Sequence, residues 1–146
     1  MLLIQRLVLE QVVEHCVRSV PHEACGALLG YGAEDGGGQP PVIISAVAIT
    51  NRAERPQHTF RFDEREWLAL LNETERSGLR LAGIYHSHPD SPPFPSVKDR
   101  GSVWSGLPSY WIISLASGSP KTEVYRLSHD ADPYAGILTA IPYSVV

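Results

Sequence analysis

The chain has 146 residues, with 12 Lys and Arg against 16 Asp and Glu, a formal charge of −4. At this length a chain buries roughly two-thirds of its unfolded surface, so it needs neither a disulfide nor a structural metal to hold a core, and any metal is expected to be functional. The mild acidity, with no basic stripe, argues against nucleic-acid binding by phosphate neutralisation, although not against a specialised DNA enzyme.

Cys16 and Cys25 are too few for a secreted disulfide scaffold and form no CxxC pair. They read as buried thiols in a reducing cytoplasm, with a single bridge as the alternative. The apolar N-terminus has no basic leader or small-residue cleavage site, and Arg6, Glu10 and Glu14 interrupt it, so it does not read as a signal peptide. The longest uncharged run, residues 101–120, contains Gly101, Gly106, Pro108, Gly118 and Pro120, which no bilayer helix would carry. No membrane contact is expected.

Ile4, Val8, Val12, Cys16 and Val20 recur at helical spacing with Leu9, Val13 and Val17 beside them, predicting an amphipathic helix over residues 4–20 that Pro21 closes. Residues 24–31 (ACGALLGY) read as a buried strand, and residues 32–41, rich in Gly and Pro, as a flexible turn. The β-branched run 42–50 predicts a second strand, and the alternating HTFRF of residues 58–62 a half-buried third. Asp63 is an N-cap candidate with Glu66 as its capping-box partner, opening a helix over 64–77 whose buried face is Trp67, Leu68, Leu70 and Leu71. Gly78 ends it.

Residues 79–88 predict a fourth strand, followed by a loop with four prolines in residues 89–95 and a short helix near Ser96. Residues 110–115 and 123–127 predict two more strands, and 137–143 a last one. The fold class is α/β (α+β-like): one domain over 1–146, a curved, mixed, largely antiparallel sheet flanked by two longer helices and one short one.

His86 and His88 end the fourth strand at positions i and i+2, so both side chains leave the same face and can converge on one ion. Two nitrogens make a half-site. A carboxylate returning after the short Pro-rich loop would complete three protein ligands with one open position, the count of a catalytic zinc. Asp99 is the candidate. Each part also has a plainer reading: two such histidines can simply line a polar face, and Ser96-x-x-Asp99 is a fair helix-capping motif. The two readings of Ser96 are compatible, because a hydroxyl can cap with its lone pair and still aim its proton at a developing oxyanion.

The string HSHPDSPPFPSVKD reads H-x-H-P-x(6)-S-x-x-D and resembles the metal-binding signature of the JAMM (MPN+, Mov34/PAD-1) metalloproteases, bacterial single-domain type. The segment His22 to Gly30 resembles the upstream glutamate and small-residue strand of that family, and the similarity runs in order through about four-fifths of the chain. The resemblance implies a cytidine-deaminase-like JAB/MPN fold and one zinc ion per chain held by His86, His88 and Asp99. It also implies Glu23 as the base at the metal-activated water and Ser96 facing the substrate carbonyl. Without it, Glu23 would read as a solvated charge at the entry to a strand.

His15, His22, His58 and His129 have no partner at ligand spacing and read as surface or structural residues. Trp104 and Trp111 read as core. Cys25 shares a face with Glu23 and reads as packing, since a thiolate nucleophile beside a zinc site would be redundant.

The activity implied by the resemblance is zinc-dependent peptidase or isopeptidase hydrolysis near the C-terminal Gly-Gly tail of a ubiquitin-like sulfur-carrier protein. A tail without Cβ atoms can lie extended in a narrow channel, and no long insertion suited to gripping a large substrate is found. A metal-free MPN-type interaction module and a RadC-like DNA-associated protein are the alternatives. The oligomeric state stays open, a dimer included.

Overall fold

The computed structural model describes residues 1–32, 41–96, 107–128 and 137–146. The elements run β1 (Leu2–Ile4), α1 (Arg6–Ser19), β2 (Cys25–Tyr31), β3 (Val42–Ile49), α2 (Glu64–Ser77), β4 (Arg80–His88), β5 (Tyr110–Ser114), β6 (Lys121–Ser128), β7 (Ile137–Ala140) and β8 (Tyr143–Val145). The strands form one sheet in the order β7-β6-β5-β4-β2-β3-β1-β8. Four of its neighbouring pairs are antiparallel, while β4 with β5 and β1 with both β3 and β8 are parallel.

Strand alternation divides the core between the two faces of this sheet. Val8, Val12 and Cys16 of α1 pack with Leu28, Tyr85, Trp111, Ile113 and Val124 on one face. Leu70 of α2 packs with Cys25, Ala27, Ile84, Ile112 and Tyr125 on the other. The Tyr85 ring lies so close over Gly26 that a Cβ there would meet it at 2.5 Å, and its hydroxyl reaches His15 Nδ1 of α1 at 2.7 Å. His15 is thus structural, while His22 and His58 are exposed. Trp111 is fully buried, as expected of a core residue.

Several expectations need correction. The first helix starts at Arg6, because Leu2, Leu3 and Ile4 form a strand between β3 and β8. Val17 and Val20, assigned to or beside its apolar row, are each 52% exposed. No strand forms over residues 58–62; only Phe62 bridges to Asn51. The reason lies in the Asn51 side chain, whose amide donates to the Thr59 carbonyl at 3.0 Å and accepts from the Arg61 N–H at 3.1 Å, replacing the partners a neighbouring strand would supply.

Asp63 caps α2 as expected, its Oδ1 accepting from the Glu66 N–H at 3.0 Å. The reciprocal half of the box goes elsewhere: Glu66 Oε1 accepts from the Thr50 N–H and the Asp63 N–H donates to the Thr50 carbonyl, both at 3.0 Å. Helix α2 buries only the narrow stripe of Leu70 and Thr74, with Trp67 half-buried, whereas Leu68 and Leu71 stay exposed because the helix meets the sheet along a single ridge. Gly78 ends it in the left-handed conformation, φ 75°. The expected last strand is split at Pro142, and β8 crosses to the opposite edge of the sheet to pair with β1. The turn at 33–40, the short helix beyond Ser96, Asp99, Trp104 and His129 lie outside the described residues.

Candidate active site

A bulge at Ala82, opposite Leu28 and Leu29, interrupts the alternation of β4, which is regular over residues 83–88. Ile84 joins the α2-side core and Tyr85 the α1-side core, so His86 and His88 both emerge on the α2 side. Both imidazoles are buried, 6% and 4% exposed, and their Nε2 atoms lie 3.2 Å apart.

His88 Nδ1 is 2.8 Å from the Pro92 carbonyl. A carbonyl oxygen has no proton to give, so Nδ1 carries the hydrogen and the neutral ring keeps its lone pair on Nε2, facing His86. This is the outer hydrogen bond expected of a metal-ligating histidine. The spacing also fits: two nitrogens about 2.0–2.1 Å from a tetrahedral zinc stand roughly 3.3–3.4 Å apart. Phe60 stacks on the His86 ring with centroids 4.7 Å apart and restricts its rotation.

The antiparallel register pairs Cys25 with His86. It continues outward through the Ser87 N–H donating to the Ala24 carbonyl at 3.0 Å and the Ala24 N–H donating to Ser87 Oγ at 2.8 Å. The next step places Glu23 opposite His88, on the same face as both histidines. Glu23 is only 5% exposed. Its backbone is held from two directions, with the N–H donating to the Pro56 carbonyl at 2.7 Å and the carbonyl accepting from Asn51 Nδ2 at 3.0 Å.

Cys25 is a buried free thiol, as is Cys16. Burial, reinforced by the Glu23 carboxylate, pushes the Cys25 thiol up to about 12. The free thiol therefore stays protonated near neutral pH, in keeping with a packing role.

Ser96 is exposed at the far end of the proline-rich turn, and Asp99, expected as the third ligand, lies outside the described residues. Among the described residues no group of three His, Cys, Asp or Glu side chains is placed to hold a metal; what is present is a pair of facing imidazoles. A groove of about 350 Å³ opens next to it, with Phe60 shared between groove and site and Glu54, Arg55, Thr59 and Arg61 among its walls. Sequence reading did not single out Phe60 or Asn51. Asn51 uses its whole amide, binding Glu23, Ala53, Thr59 and Arg61, but an isolated Asn before a loop carries no local signature of such a hub.

Residues 6–128 match the family model of prokaryotic homologs of the JAB domain. The chain belongs to this family. Among curated relatives, this JAB-family chain is 34% identical over 105 residues to the desampylase of Pyrococcus furiosus, covering 72% of this chain and 68% of that one. It is 32% identical over 145 residues to the CysO-cysteine peptidase of Mycobacterium tuberculosis, covering 99% of this chain and 91% of the relative. The solution structure of a Desulfitobacterium hafniense protein superposes with a TM-score of 0.79 at 26% identity, covering 100% of this chain and 94% of the other. The JAB-family fold expected from the resemblance is therefore present, and the chain is a hydrolase of the JAMM type. No helix among the described residues is long and apolar enough to cross a membrane.

Proposed function

We propose that residues 1–146 form a single JAMM/MPN+ domain acting as a zinc-dependent peptidase or isopeptidase. Its substrate would be an amide bond near the C-terminal Gly-Gly tail of a ubiquitin-like, sulfur-carrier protein in the cytoplasm. The observation that carries the reading is the facing pair of Nε2 atoms at 3.2 Å, with the His88 tautomer set by Pro92. The relatives support the substrate class, being a desampylase and a CysO-cysteine peptidase by name.

His86, His88 and Asp99 are the residues that would hold one zinc per chain. Bound there, zinc polarises the scissile carbonyl and lowers the pKa of water toward about 7.

The remaining work falls to the chain's own groups. Glu23 takes a proton from the attacking water as the oxygen bonds to the carbonyl carbon, then returns it to the departing amine nitrogen as the C–N bond breaks. Its burial keeps competing solvent away. The Ser96 hydroxyl donates to the oxygen on which negative charge develops, a contribution of about 3 kcal/mol for one such donor. The groove beside Phe60 has room for an extended segment flanking the scissile bond, and a tail of glycines meets its walls without Cβ clashes.

The test is incubation with a sulfur-carrier protein extended beyond its Gly-Gly, followed by intact-mass measurement. Release of the extension, blocked by chelator, is expected; an unchanged mass at enzyme excess would refute the assignment.

A further inference from the structure

Three consecutive carbonyls of the proline-rich turn each accept a hydrogen bond from a different strand. Ser114 Oγ of β5 donates to the Ser91 carbonyl at 2.6 Å, His88 Nδ1 of β4 to that of Pro92 at 2.8 Å, and Tyr125 Oη of β6 to that of Pro93 at 2.6 Å. The turn needs such outside donors because Pro92 and Pro93 have no N–H with which to close it; among the described residues the Phe94 N–H returns within it, donating to the Pro92 carbonyl at 2.8 Å.

The three donors share one face of the sheet. His88 and Ser114 are register partners across β4 and β5, and Tyr125 pairs with Tyr110, two alternations from Ser114. Ser114 and Tyr125 are themselves buried, 2% and 6% exposed, and Pro93 is buried too, so removing the Tyr125 hydroxyl leaves the Pro93 carbonyl unmet in a dry setting, while removing the Ser114 hydroxyl frees the Ser91 carbonyl from its anchor.

We propose that Ser114 and Tyr125 are positioning residues for His88. By pinning the carbonyls on either side of Pro92, they hold the Pro92 carbonyl where it selects the Nδ1–H tautomer of His88 and turns the Nε2 lone pair toward His86. Neither hydroxyl touches metal or substrate. The consequence for metal binding rests on the zinc reading above; the consequence for the His88 ring does not.

The experiment therefore has two readouts on Ser114→Ala, Ser114→Thr and Tyr125→Phe. In metal-free protein, ring ¹⁵N shifts of His88 should report a single Nδ1–H tautomer in the wild type and in Ser114→Thr, and a mixture in the other two. Competition with a chromophoric chelator should show zinc bound about 10- to 100-fold more weakly by Ser114→Ala and Tyr125→Phe than by the wild type, with Ser114→Thr restored. Unchanged tautomer and unchanged zinc affinity in both hydroxyl-deletion variants would overturn the proposal. A wild type that takes up no zinc would overturn the metal reading, and the nitrogen shifts would still decide the positioning of His88. Thermal melts identify any variant that fails to fold, and because Ser114 and Tyr125 lie on different strands, the other hydroxyl then carries the test.

Discussion

His88 stands between two partners: its Nε2 lies 3.2 Å from His86 Nε2, and its Nδ1 donates to the Pro92 carbonyl. One hydrogen bond at the back of the ring thus decides what the front presents. With the proton held at Nδ1, the neutral imidazole offers a lone pair toward His86, as a metal ligand must. Extending the Cys25–His86 register by two residues puts the buried Glu23 on the same face of the sheet.

The role given to Glu23 is proton transfer without metal ligation. Glu23→Gln should retain the wild-type zinc content while turnover falls by about 10²- to 10⁴-fold, the range for loss of a general acid–base group. Zinc content by elemental analysis and kcat on an extended carrier substrate check this together. Undiminished hydrolysis would assign the proton to another group.

Ser96 is expected to act on the developing oxyanion and not on ground-state binding. Ser96→Ala should lower kcat by about 10²- to 10³-fold with little change in KM. A rise in KM at constant kcat would place Ser96 in substrate binding instead.

Metal removal should separate activity from folding. The core is built from two apolar clusters on opposite faces of the sheet. Chelator should therefore abolish hydrolysis and lower the melting temperature only by the lost ligand linkage, leaving the far-ultraviolet circular dichroism of a folded chain. Loss of secondary structure at room temperature on chelation would make the metal structural.

His15 gives a pH dependence of known sign. Burial, with Arg18 adding to it, holds its pKa below the ordinary 6.5, so the folded state binds fewer protons than the unfolded state between those two values. Its contribution is complete above pH 6.5 and is lost as pH falls through the folded pKa. The melting temperature of the wild type should drop over that window more steeply than that of His15→Gln, in which the amide can still reach the Tyr85 hydroxyl. Parallel curves would remove His15 as the source.

The parts of the fold legible in the sequence were those with a local period or a local stop. The α1 row Val8, Val12 and Cys16, the Asp63 cap, the Gly78 terminator and the strand ending in His86 and His88 all carry their signal within a few residues. The errors came where a distant partner decides. Leu2, Leu3 and Ile4 look like the start of a helix until β3 and β8 are there to pair with them. Residues 58–62 alternate like a strand, but Asn51 takes their backbone groups. Around the site, the histidine pair was singled out from its i, i+2 spacing on a strand and Glu23 from the resemblance of its segment, whereas Phe60 stacks on His86 and Ser114 and Tyr125 bind the adjoining turn from separate elements that carry no motif.

The central claim is that His86 and His88 form half of a zinc site, and metal stoichiometry tests it most directly. Elemental analysis of purified wild type and His88→Ala, each loaded with zinc and then desalted, should give close to one zinc per chain for the wild type and nearly none for the variant. A full complement of zinc in His88→Ala, with the fold intact, would contradict the account.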